Sequence, residues 1–516
     1  MLKNRAFSVY SNLTLKSPDN DLDYRVLALA SAVLSVWLIA IDPTVNSDAI
    51  IYLRTAEAYL QDGFFASQSM FDRPLMAISF ALIHKLTGMP LLYAAHLLNG
   101  LFYMVLSIAF VSTVRVLGGD RRIQFFAAIV ILSHPLLNGY RSAIVRDPAY
   151  WALIMLAYRE LLLYTREPGL KHQVTWFAYV SLATLFRFEG LFFAALAPLV
   201  LLVTGYPGTR LRSCLRLLAL PMIAITALLL AIMSYELVLS PGTRLFPAIE
   251  NYIQALLAFP AKFDQLSMAT GMALLEFSAR EDAAVATWAG LIAILLLNIC
   301  RAITWPYVFV LLWGWKRKLL DRISPSDGKL LRAHLLICLL YLALFTITNR
   351  FMLERYCSMF TLFLLLYLPF IFNALWPRGK RSWRGTVIFL LLLGTTLDVL
   401  HNNSYKKWFI KDATDWIVTN TPDDVSLITN HMHIAYFSKR EFDWKNYRNA
   451  NLQLADMEST PQLWRDYDYI AMSVRSSEIE QWRRFLALYS LTERIVFKGQ
   501  GRDDIRIVEL PHHEGR

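Results

Sequence analysis

The sequence predicts a polytopic α-helical membrane protein with about eleven transmembrane helices, interfacial helices in the first outer loop and a small C-terminal α/β domain. Three observations predict it. The 516 residues are 56% hydrophobic and only 18% charged, with a mean hydropathy of +0.40; a soluble chain of this length carries more charge. Apolar runs about as long as a bilayer core requires recur from Tyr24 to His401. Past them, strand-like and helix-like patterns alternate through a polar tail. The first run starts late and has many successors, so it is expected to be a span rather than a cleaved signal peptide.

The expected spans fall at 24–41, 91–117, 123–140, 148–165, 173–186, 190–205, 215–239, 285–313, 332–348, 357–375 and 385–401. RFEG at Arg187–Gly190 splits the fifth from the sixth. Lys3, Arg5 and Lys16, Arg121 and Arg122, Arg166 and Lys171, Arg210, Arg212 and Arg216, WKRK at Trp315–Lys318 and PRGKRSWR at Pro377–Arg384 alternate consistently with these crossings if they are cytoplasmic. The N-terminus is then inside and the C-terminus outside. The net charge of +11 follows from this topology, and no nucleic-acid partner is expected. Cys214, Cys300, Cys338 and Cys357 lie in or beside apolar runs, away from the polar tail, so neither a disulfide framework nor a cysteine zinc site is expected.

The first outer loop begins SDAIIYLRTAEAYLQDG. Wound at about 100° per residue, Ala49, Tyr52, Leu53, Ala56, Tyr59 and Leu60 share one arc, while Arg54, Glu57 and Gln61 share the other. Ile50 and Ile51 interrupt the polar face near its start. This is an amphipathic helix lying at the interface. Arg73–Gly88 reads as a second one, because His84, Lys85 and its length argue against a full span. The longer outer loop runs from Pro241 to Ala284. In the tail, VSLITN, YDYIAMSV, RIVFKG and IRIVEL alternate with helix-like runs such as SEIEQWRRFLALY. Residues 1–401 are thus expected to form the membrane domain and 402–516 the outer one.

Charged residues near hydrocarbon mark candidate sites. Asp48 follows the first span and Asp147 precedes the fourth, at one depth and on one side. A carboxylate there can have the raised pKa that suits a base toward a hydroxyl. The plain alternative is that each caps its helix, with Pro148 at the first helical position. Arg73, Arg141, Arg146, Arg187, Arg350 and Arg355 gather on the same side. They form either a pocket for an anionic lipid phosphate or a set of salt bridges and interface anchors, with Arg187 paired to Glu189. DYD at Asp466–Asp468 reads as a turn. HMH at His431–His433 has spacing that could hold a metal, but no third ligand stands out. No phosphate-binding glycine loop and no serine-hydrolase elbow occurs.

These pieces together resemble the GT-C superfamily of membrane glycosyltransferases, in the branch of the protein O-mannosyltransferases and the lipid A aminoarabinose transferase. The resemblance is carried by SDAIIYLRTAEAYLQDG, DRP at Asp72–Pro74, VRDPAYWALIML, LATLFRFEGLFFAALAPL and ERYCSMFTLFLLL. It implies transfer of a sugar from an undecaprenyl- or similar polyprenyl-phosphate donor to a lipid, glycan or protein acceptor. The transfer would occur on the outer face of the membrane, with inversion. Asp48 would be the base on the acceptor, and Asp147 the second-loop acid. Arg73, Arg187 and Arg355, with Tyr356 beside the last, would lie near the donor phosphate. Glu57, Asp72, Arg141, Arg146 and Glu189 are additional candidates. A divalent metal is the cofactor considered, with Asp72 as its candidate ligand; no other cofactor is implied. The chain departs from the family in having Ser47, not a second acid, before Asp48. It also lacks a WWD triplet in the tail. The architecture points to a bacterial cytoplasmic membrane, with membrane lipids as partners. A flippase for a lipid-linked sugar and a non-catalytic envelope scaffold are the competing readings; a transporter would be expected to show repeats and charges deep in its spans.

Overall fold

The structure, a computed structural model, describes residues 21–42, 44–204, 209–238, 254, 257–376, 383–401, 404–440, 452–500 and 503–511. Lys3, Arg5, Lys16, most of PRGKRSWR, the start of the Pro241–Ala284 loop, and His512 and His513 lie outside them. The helices run α1 (Tyr24–Ala40), α2 (Ser47–Asp62), α3 (Phe64–Met70), α4 (Leu75–Thr87), α5 (Leu91–Val116), α6 (Arg121–Ser133), α7 (Pro135–Asn138), α8 (Asp147–Arg166) and α9 (Leu170–Phe186). They continue with α10 (Gly190–Thr204), α11 (Arg210–Val238), α12 (Phe259–Leu274), α13 (Ala283–Ile303), α14 (Trp305–Lys316), α15 (Pro325–Asn349), α16 (Ser358–Leu365), α17 (Leu368–Leu375) and α18 (Trp383–Leu400). The tail adds α19 (Trp408–Asn420), β1 (Leu427–Thr429), α20 (Met432–Phe437), α21 (Leu454–Ser459), β2 (Tyr469–Arg475), α22 (Ile479–Leu488), β3 (Glu493–Lys498) and β4 (Asp503–Glu509).

This is an integral membrane protein. Among the described residues four helical stretches, Leu91–Val116, Phe277–Ile303, Pro325–Asn349 and Trp383–Leu400, are long and apolar enough to cross a bilayer, and a fifth if α16 and α17 count as one bent span. Three expected runs differ from single helices. The run 123–140 breaks at His134, ahead of Pro135. The run 285–313 breaks at Thr304, whose φ of 72° lies in the left-handed region, with Pro306 beginning the next helix. The run 357–375 bends by 46° between α16 and α17, where Pro369 opens the second.

The chain divides into two compact units. The first comprises Met1–Ala32, Leu101–Gly139 and Arg146–Val399. Its central element is α8, with fifteen of its twenty residues buried, so neighbours cover it on every side. α9 packs along it, and Trp151, Tyr158 and Trp176 are fully enclosed. Ion pairs close one end of this unit: Arg166 with Asp327 at 2.9 Å, and Arg322 with Asp120.

The second unit comprises Val33–Gly100, Tyr140–Val145 and Leu400–Arg516. In it α2 packs on α3 and α4, with Ala49, Tyr52, Leu53 and Ala56 buried as the helical wheel requires. Ile50 is buried too, so the packed arc is wider than the amphipathic pattern alone indicates. Gly63 ends α2 at φ 81°, a conformation that side chains with a Cβ rarely adopt. The segment 140–145 is pinned by polar side chains. Asn46 exchanges two hydrogen bonds with the backbone of Ile144, at 3.2 and 3.0 Å. Asn99 donates to the carbonyls of Arg141 and Ala143.

The tail folds as the strand pattern predicts. Among the described residues four strands form one sheet in the order β1-β2-β4-β3, parallel between β1 and β2 and antiparallel elsewhere. Alternation along β2 sends Ile470, Met472 and Val474 into a core with Trp464, Trp482 and Phe485. Tyr469 and Ala471 enter a second core with Ile417, Ile434, Ile505 and Ile507.

Candidate active site

Asp147 stands just ahead of the apolar run 148–165 and begins α8, with Pro148 beside it at the helix start. The cap position belongs to Arg146, and the helix has no side-chain cap there. The Asp147 carboxylate has other partners. Arg187 donates to Oδ1. Arg355 donates to Oδ2 from Nε at 2.9 Å and approaches it with Nη2 at 2.7 Å. The Asp147 side chain is 2% exposed, against 11% for Arg187 and 22% for Arg355. Burial alone would raise the Asp147 pKa, but Arg187 and Arg355 outweigh it and hold the carboxyl below its usual range.

Arg187 reaches this position because the helix is broken there. α9 ends at Phe186, Arg187 is extended at φ −146° and ψ 129°, and α10 restarts at Gly190. A Cβ on Gly190 would lie 2.5 Å from Thr184 Oγ1 and 2.8 Å from the Thr184 backbone nitrogen; only glycine fits this turn. The guanidinium also binds Glu189 Oε1, at 2.5 Å from Nη2 and 3.2 Å from Nε. It lies 5.4 Å from the Tyr356 ring centroid and 5.9 Å from that of Tyr150, within cation–π range. Arg355 and Tyr356 sit in the short turn Glu354–Cys357 that precedes α16. The Tyr356 carbonyl accepts from Tyr341 Oη at 3.1 Å. Arg146 Nη1 donates to the Phe186 carbonyl at 3.3 Å.

The pattern of charges brought Asp147, Arg146, Arg187, Glu189, Arg355 and Tyr356 into view, and the first unit gathers them. Tyr150 carries no charge, so the charge pattern does not mark it. It lies one turn along α8 from Asp147, and its buried hydroxyl has no hydrogen-bond partner among the described residues. The i, i+3 spacing from an acid is the signal that could have found it.

The remaining candidates belong to the second unit. Asp48 is half-buried in the first turn of α2, where the cap position is Asn46. An acid there complements the helix dipole. Glu57 Oε2 accepts from Arg54 Nη1 at 2.7 Å, and Glu57 Oε1 accepts from Tyr436 Oη. Arg141 is almost fully enclosed and donates to Ser35 Oγ at 2.7 Å. Asp72 is exposed and lies 3.4 Å from Arg73 Nε. A lone exposed carboxylate paired with a cation does not fit a divalent metal, which takes several oxygen ligands. Among the described residues no three His, Cys, Asp or Glu side chains converge as metal ligands. In DYD, Asp468 Oδ2 accepts from Ser426 N at 2.7 Å and Oγ at 2.9 Å, bracing the turn into β2. In HMH, His433 is buried against Phe437 at a centroid distance of 4.6 Å.

No protein-family model matches the chain, and no curated protein matches it. Among solved structures it is similar to ArnT from Cupriavidus metallidurans bound to undecaprenyl phosphate, at 14% identity and a TM-score of 0.55, over 94% of this chain and 98% of that one. Weaker likenesses are the Archaeoglobus fulgidus oligosaccharyltransferase tethered with an acceptor peptide (14% identity, TM-score 0.47, 90% of this chain and 70% of that one) and the arabinofuranosyltransferase AftD from Mycobacteria (13% identity, TM-score 0.46, 96% and 40%).

Proposed function

We propose that this chain, which has the GT-C membrane fold, is a glycosyltransferase that uses a polyprenyl-phosphate-linked sugar and acts on the outer face of the membrane. The observation that carries the reading is the buried Arg187–Asp147–Arg355 network, set at a helix break beside two aromatic rings. Guanidiniums fixed in a partly dry place suit a phosphate leaving group, whose negative charge grows as the glycosidic bond breaks. In this proposal Asp147 holds Arg187 and Arg355 in fixed register, and both cations, with Arg73 and Tyr356, receive the donor phosphate. Asp48 takes the proton of the acceptor hydroxyl as its oxygen attacks the anomeric carbon. The bond from that carbon to the phosphate oxygen breaks, and polyprenyl phosphate leaves with the electron pair. Attack from the opposite face inverts the centre.

The same reading takes residues 1–401 as the catalytic membrane domain, crossing eleven times from a cytoplasmic N-terminus, with 402–516 outside a bacterial cytoplasmic membrane. The acceptor is a lipid, glycan or protein hydroxyl. A mass-spectrometric profile of envelope lipids, glycans and proteins, compared between parent and deletion strains, tests it. A sugar-sized mass lost in the deletion names sugar and acceptor together. An envelope without such a loss sinks the reading.

A further inference from the structure

Glu57 and Asp48 stand nine residues apart on α2. At about 100° per residue they point to opposite sides of the helix, about 13 Å apart along its axis. Glu57 is therefore not a second acid beside Asp48. Both of its oxygens are engaged: Oε2 by Arg54 and Oε1 by Tyr436. Tyr436 belongs to α20, which packs directly on α2. α20 is itself anchored in the tail, with Ile434 and Ala435 buried and Ile434 part of the core between the sheet and α19. Burial, reinforced by the Glu57 carboxylate, pushes the Tyr436 phenol well above its usual range, so it remains a donor. The carboxylate is only 27% exposed, and a hydrogen bond to a charged group in such a place outweighs one between neutral groups.

We propose that Tyr436 is a positioning residue: by gripping Glu57 it locks α2 to the C-terminal domain and so fixes the direction in which Asp48 is presented. This rests on the reading of Asp48 as the base. The domain 402–516 then belongs to the transfer machinery itself, in addition to any part it has in choosing the acceptor. A helix docked by its apolar arc and held at its N-terminal cap by Asn46 can still turn by small steps toward its C-terminal end. A hydroxyl–carboxylate bond at one position of the polar arc sets the rotation.

The test uses the full chain in lipid nanodiscs and measures amide hydrogen exchange in the peptide spanning 49–62. Tyr436→Phe is expected to speed exchange there about tenfold, the scale of one lost hydrogen bond to a charged acceptor. The peptides of α8 and α15 are expected to stay unchanged. Glu57→Ala should match it, and the double variant should add nothing further. Glu57→Gln keeps an acceptor oxygen for the phenol and should recover most of the protection. With the product known from the envelope profile, Tyr436→Phe should lower turnover while leaving the donor KM in place, and Glu57→Gln should again recover more than Glu57→Ala. Unchanged exchange in 49–62, or faster exchange throughout the chain, overturns the proposal. So does full turnover in Tyr436→Phe. If exchange responds as expected while Asp48→Asn leaves the product untouched, the lock stands as a contact, but the reading of Asp48, and the positioning role with it, falls.

Discussion

Arg355 grips a single oxygen of Asp147 with two of its nitrogens, at 2.9 and 2.7 Å, across 208 residues of sequence. Arg187 takes the other oxygen. The acid that opens α8 is thereby committed to two cations, and its removal is expected to cost stability. Asp147→Ala leaves two largely buried guanidiniums facing each other, and the loss of a buried partner costs about 3 kcal/mol. A lowered unfolding midpoint of the purified protein is the expected result, with Asp147→Asn falling between it and the parent.

Arg187 makes bonds to Asp147 and Glu189 while facing two rings. A lysine ammonium keeps the charge but lacks the planar fork that serves both carboxylates. Arg187→Lys should therefore lose about tenfold or more in product formation, the scale of about 1.4 kcal/mol of lost transition-state stabilisation. Quantifying the sugar-modified product at matched membrane protein levels checks this.

Gly190 permits the turn that delivers Arg187. A methyl there would press on the backbone of Thr184, which is not the yielding end of a flexible side chain. Gly190→Ala should cost about 2 kcal/mol, typical of overpacking. It should also reduce product formation more than an alanine on an exposed face of α10 does, since the shift moves Arg187. Thermal unfolding and product yield, measured on the same preparations, separate the two effects.

The C-terminal segment carries a pH dependence of predictable sign. Burial lowers the pKa of His433 and of His431 from 6.5 to about 4. The unfolded chain therefore binds more protons than the folded one between about pH 6.5 and 4. The stability due to these neutral histidines is fully present above pH 6.5 and is lost as pH falls toward 4. Each accounts for about 3 kcal/mol across that window. Denaturant unfolding followed at pH 7 and pH 5 should show the loss, and His433→Phe should flatten the slope.

Much of this architecture is written locally and was legible in the sequence. The strands of the tail follow their alternation, the break at RFEG follows its charges and glycine, and α2 follows its apolar arc. What escaped was decided by contacts far along the chain. Thr304 adopts a left-handed backbone inside an apolar run, and hydropathy carries no trace of that. Asp147 followed by Pro148 reads as a cap; its arginine partners come from two other chain segments. Arg141 has the charge of a ligand-binding residue, yet it is enclosed against Ser35, a pairing that no local pattern announces. Tyr436 sits 379 residues from Glu57, and a single tyrosine on a six-residue helix gives no signal of its own.

The central claim is that Asp48 takes the acceptor proton while Arg187 and Arg355 receive the donor phosphate. The most direct measurement is the sugar-modified envelope product, quantified by mass spectrometry in a deletion strain carrying the parent chain, Asp48→Asn or Arg355→Gln at matched membrane protein levels. The account predicts product from the parent chain and its loss by at least about a hundredfold in Asp48→Asn, the lower end of a general base's contribution, with a marked drop in Arg355→Gln. Full product from both variants would contradict it, leaving the charges as structural pairs and the chemistry elsewhere.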